Sequence, residues 1–137
     1  MNALNIHETT TVKDPFSRVF VEIDNDILPL IEKLWEDHIC TFFSCQGTTG
    51  WTPQRWHDYR EEPDKHLAYV MMEGDWRTIA LAGHIMAALS DASDTMFRVN
   101  LDQFPQNYPF DPKVRGMNRL VWRFLNRDIE KITNLIC

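Results

Sequence analysis

Cysteine is scarce and odd in number here: Cys40, Cys45 and Cys137, without metal-finger spacing. A disulfide framework is therefore not the organising principle. Long apolar runs are missing too. None approaches the roughly 20 residues that span a bilayer, so no membrane segment is expected. The first fourteen residues are polar and lack the basic-then-apolar order of a secretory leader, so a cytoplasmic location is expected. Nor is there an excess of positive charge. The formal net charge is −6, which disfavours nucleic-acid binding driven by phosphate neutralisation. The charges are uneven: residues 1–50 hold eight acids and three bases, residues 101–137 four acids and six bases. The C-terminal third, at a balance of +2, leaves room for a local basic surface. No internal repeat or low-complexity tract is visible.

What is present is an ordinary globular composition, 44% hydrophobic and 25% charged, with five tryptophans and eight phenylalanines. A chain of 137 residues suits one domain with a real core. Residues 1–15 have little pattern and are read as a flexible arm, leaving 16–137 as a single α/β domain. Residues 16–23 alternate and predict a strand. Asp24-Asn25-Asp26 then supplies N-cap chemistry for a helix over 27–38, whose Ile27, Leu28, Leu30, Ile31, Leu34 and Trp35 recur at helical spacing. On this reading Glu22, Asp24 and Asp26 form a capping cluster.

Ile39 to Phe43 is a short buried-strand pattern, and it stops at Ser44-Cys45-Gln46-Gly47. The small and polar residues at this strand end mark the candidate site, because open α/β sheets bind ligands at carboxyl strand ends. A plain turn with a half-buried cysteine is the alternative. Residues 48–65 form a long polar connection broken by Pro53 and Pro63, yet Trp51, Trp56 and Tyr59 argue against disorder. A strand over 66–72, a helix over 76–89 and a strand over 95–101 follow. Residues 102–113 read as a second irregular loop. The last segment fits one helix or a strand followed by a helix, and the latter suits a sheet that needs another partner. Arg119 and Arg123 would share a face of that strand, either solvated or binding an anion. The order predicts an α+β two-layer sandwich: one sheet of about five strands with two or three helices packed on it.

The residues around the candidate site are compatible with four chemistries. Cys45 could act as a nucleophile activated by His57 or His66. Cys45, His57, His66 and Asp58 could hold a metal, but no pair has ligand spacing, and no metal site is assigned. The carboxylates around Asp24 need no role beyond capping. The most economical use is a pocket in which the Ser44–Gly47 turn offers backbone N–H groups, Gln46 reads polar edges, and Trp51 or Trp56 stacks on a base. The site residues of this reading are Ser44, Cys45, Gln46, Gly47, Trp51, Trp56, His57 and Arg123.

The stretch from Val21 through Asp24, then the helix, then Thr41-Phe-Phe-Ser-Cys-Gln-Gly47, resembles the core of the tRNA wybutosine-synthesising methyltransferase family. There an acid-capped helix leads into a Thr-x-x-Ser-Cys-Ser-Gly turn. It also resembles small bacterial and phage proteins with a Ser-Cys-Gln/Glu-Gly turn after a Leu-Trp helix. The likeness covers roughly residues 19–100 and implies that Ser44, Cys45 and Gly47 line a site. The cofactor is unassigned; S-adenosylmethionine enters only under the methyltransferase alternative that this resemblance implies. Gln46 stands where that family has its second serine, and Thr48 where an arginine follows the glycine.

The functional expectation is an accessory protein, of phage or mobile-element type, that binds a nucleotide-like ligand or a protein partner. One alternative is an S-adenosylmethionine-dependent nucleobase- or tRNA-modifying enzyme. The other is a structural protein that forms a homodimer through its aromatic loops. Whether any reaction is catalysed is left open.

Overall fold

In a computed structural model, the described residues are 7–90, 95–103 and 118–136. Among them the strands are β1 (Thr9–Lys13), β2 (Phe20–Asp24), β3 (Thr41–Cys45), β4 (Ala68–Glu73), β5 (Phe97–Gln103) and β6 (Asn118–Phe124). The helices are α1 (Leu28–Glu36), α2 (Trp56–Glu61), α3 (Pro63–His66), α4 (Trp76–Leu89) and α5 (Ile129–Leu135). The class is α+β. The strands divide into a four-stranded sheet, β3-β4-β6-β5, and a separate β1-β2 pair. All pairings are antiparallel.

One correction concerns the N-terminus. Part of the expected arm is a strand, because Thr9, Thr10, Thr11 and Val12 are β-branched and pair with β2. The hairpin closes on Asp14, whose side chain accepts from the Phe16 and Ser17 N–H groups, and on Arg18 at φ +64°. A second correction concerns 48–65. It is not structureless, since Pro53–Arg55 forms a 3-10 turn that leads into α2 and α3. The loop read over 102–113 falls outside the described residues from 104 onward, as do the turn residues 91–94 and Cys137.

The final segment is strand then helix, as the need for another sheet partner suggested. Cross-strand register sorts the sheet into two faces. Ala68, Val70 and Met72 align with Phe124, Trp122 and Leu120 of β6 and with Phe97, Val99 and Leu101 of β5. This face meets Ile27, Leu30, Ile31 and Leu34 at α1, Ala82, Ile85 and Leu89 on α4, and Ile129 and Ile132 on α5. Trp122 lies fully buried at its centre. The opposite row runs Cys45–Tyr69–Arg123–Arg98, so Arg119 and Arg123 do share a face.

The expected cap of α1 by Asp24-Asn25-Asp26 is not made: the N-cap is Ile27, without a side-chain cap hydrogen bond, and the Asp24 carboxylate accepts from the Gln46 N–H. The start of α4 and the end of α1 do follow local chemistry. Asp75 caps α4 by accepting from the Arg77 and Thr78 N–H groups, while its own N–H donates to Thr78 Oγ1. α1 ends in a Schellman turn: His38 N–H donates to Trp35 O at 2.9 Å and Ile39 N–H to Leu34 O at 3.0 Å. His38 occupies the left-handed position at φ +63°, where glycine is usual. No helix among the described residues is long and apolar enough to cross a membrane.

Candidate functional site

β3 delivers the Ser44–Gly47 turn to one end of the sheet, where Gln46 and Gly47 are engaged by the fold itself. Gln46 is only 8% exposed, and its backbone N–H, its carbonyl and its side-chain Oε1 are used internally. Its N–H donates to Asp24 Oδ2 at 3.0 Å. Its side-chain Oε1 accepts from Asp26 N–H at 2.9 Å. Its carbonyl accepts from Asn126 Nδ2 at 2.8 Å, and the same amide donates to Asp26 Oδ2 at 3.1 Å. The expected reading of ligand edges by Gln46 therefore gives way to a structural role. Buried polar groups must find partners, and these are the nearest.

Gly47 is equally committed. It sits at φ +74°, and a Cβ there would lie 2.4 Å from the Ala68 backbone nitrogen. The glycine serves close packing of the turn against β4 rather than ligand approach. The neighbouring residues diverge. Ser44 pairs with Val70 and borders a groove with Glu22 and Trp35, whereas Cys45 pairs with Tyr69 on the other row.

Cys45 is half-buried, and two groups absent from its expected partners stand beside it. His7 Nδ1 lies 3.0 Å from Asp24 Oδ2, and donor atoms of His7, Asp24 and Cys45 all fall within 4.8 Å of one another. Burial raises the Cys45 thiol pKa, the Gly47 backbone N–H opposes this, and the Asp24 carboxylate reinforces it. The thiol is therefore a protonated neighbour at neutral pH. His57 is exposed on α2. His66 stacks at 5.0 Å on Tyr59. Neither is grouped with Cys45, so the pairings of Cys45 with His57, His66 or Asp58 are not those the fold assembles. Arg123 shares Cys45's row but stands two strands away, about 10 Å at ordinary strand spacing.

The aromatic segment packs on the chain itself. Tyr59 is fully buried with Leu67, Met96 and Leu125, and Trp51 and Trp56 cover that cluster edge to face at 5.9 Å. Trp51 also carries the Arg127 guanidinium, 4.2 Å above its ring centroid. Arg127 and Asn126 border a cleft of about 640 Å³ with Asp26, Glu130, Thr133 and Asn134. Asn126, Arg127 and His7 were not legible as site residues. Asn126 joins Gln46 across 80 positions of sequence, and no local pattern marks such a contact.

Fold and site together define a small α+β domain with a polar cleft beside a tightly bonded strand-end turn. No protein-family model, curated protein or solved structure matches the chain.

Proposed function

We propose that this protein binds a nucleotide-like small molecule in the cleft between the start of α1 and the start of α5. The observation that carries this reading is the Arg127–Trp51 stack at the edge of that cleft. A guanidinium held over an indole, with its Nε 3.5 Å from Asp128 Oδ1, is pre-organised to meet phosphate oxygens through its outer nitrogens, with less side-chain entropy left to lose on binding. The cleft volume lies within the range of about 300–1,000 Å³ usual for small-ligand sites. Asn134 offers an amide donor and acceptor and Asn126 its remaining side-chain carbonyl for a base edge, and Asp26 and Glu130 offer acceptors for ribose hydroxyls. The Ser44–Gly47 turn acts indirectly on this reading. It holds Asp26 and Asn126 in place through Gln46.

The test is titration calorimetry with the four nucleoside monophosphates and S-adenosylmethionine. At least one nucleotide is expected to bind, and Arg127→Ala and Thr133→Trp are each expected to weaken it about tenfold or more, roughly 1.4 kcal/mol. Absence of binding by every nucleotide, or affinity unchanged in both variants, would overturn the reading. Binding of S-adenosylmethionine alone would favour the methyltransferase-like alternative.

A further inference from the structure

The convergence of His7, Asp24 and Cys45 is used by neither the fold's core nor the cleft. The three residues come from separate segments: the approach to β1, the end of β2 and the end of β3. They present an imidazole nitrogen, a carboxylate oxygen and a thiol sulfur, all mutually within 4.8 Å. His7 and Asp24 side chains are each 17% exposed, and Cys45 is half-buried. No Lys or Arg forms an ion pair with Asp24 among the described residues. The acid is held instead by His7 and by the Gln46 N–H.

We infer that His7, Asp24 and Cys45 form a binding site for a zinc-class divalent cation. Mixed sulfur, nitrogen and oxygen donors suit Zn²⁺ and its neighbours, whereas calcium and magnesium prefer oxygen alone. Three protein ligands leave one position of a tetrahedral ion for water or another ligand. The outer support is present as well. Gln46 N–H orients Asp24, and Asn126 in turn holds the Gln46 carbonyl, as second-layer hydrogen bonds do in metal sites. On binding, the Cys45 thiol becomes a thiolate and its proton passes to solvent, while neutral His7 contributes a nitrogen lone pair. No redox change is involved. The site would staple the end of the β1-β2 pair to the end of β3, adding to the packing of Ile23, Val21 and Val12 on the core.

The probe is Co²⁺ added to the metal-free, untagged full chain without nucleotide. One equivalent is expected to bind and to give the intense near-ultraviolet absorption of a cobalt–thiolate bond, displaced by Zn²⁺. Cys45→Ser should abolish that band, His7→Gln should weaken Co²⁺ binding at least tenfold, and Cys40→Ser should leave both unchanged. Zn²⁺ should also protect Cys45 of the unsubstituted chain from iodoacetamide, read by peptide mass spectrometry, a measurement that needs no variant to fold. No Co²⁺ binding, a thiolate band that persists in Cys45→Ser, or equal alkylation of Cys45 with and without Zn²⁺ would each overturn the inference.

Discussion

Cys40 and Cys45 flank the same strand, both half-buried, in surroundings that differ in one respect. At the Cys40 end Glu73 and Asp75 share a cation. Arg77 lies 3.6 Å from Glu73 and 3.5 Å from Asp75, and it donates to the His38 carbonyl. At the Cys45 end, Asp24 and Asp26 are met by backbone N–H groups, an asparagine amide and a histidine. The first end closes a helix and caps another, and its charges are spent on each other. The second retains carboxylates with unused acceptor capacity beside a thiol and a cleft. Excess acceptor capacity at a strand end, rather than cysteine itself, is what separates a candidate site from a structural corner.

The sharpest way to break the Cys45 end is Gly47→Ala. The new methyl meets the β4 backbone and the residue keeps a left-handed conformation, so a loss of about 3 kcal/mol is expected in urea unfolding. A loss below about 1 kcal/mol would mean that the turn can yield and is not the rigid support described. At the Cys40 end the comparison predicts the opposite sign. His38→Gly removes the strain of a left-handed non-glycine residue from the α1 Schellman turn and should stabilise the fold by up to about 1 kcal/mol. Destabilisation would show that the imidazole makes a compensating contribution.

The smallest effect concerns pH. Burial, then the Glu73 and Asp14 carboxylates, push the Cys40 thiol from its ordinary 9.0 up to about 12. A raised thiol pKa means that the folded state holds a proton the unfolded chain releases. The resulting stabilisation is complete below pH 9 and is lost as pH climbs from 9 toward about 12. Melting temperatures across that window should fall less steeply in Cys40→Ser than in the unsubstituted protein. Parallel slopes would place the alkaline sensitivity elsewhere.

Much of the architecture was legible because it rests on local periodicity. The helix expected over 76–89 is α4 with those bounds, and the α1 stripe of Leu30, Ile31 and Leu34 is buried as its spacing required. β1 was overlooked although four consecutive β-branched residues announced it. The helical turns of 53–66 were hidden by two prolines, which mark loops and helix starts alike.

The sequence by itself determined the α+β class, the order of elements from β2 to β3 and from β4 onward, and the position of a strand-end turn at Ser44–Gly47. These follow from hydrophobic period, capping residues and glycine, all of which act within a few residues. Only the tertiary structure decided what that turn does. Gln46 is consumed by Asp24, Asp26 and Asn126, and Cys45 keeps company with His7 rather than His57 or His66. Those partners lie far apart in the chain, and their meeting depends on how the β1-β2 pair and α5 dock around the sheet, which no local pattern encodes.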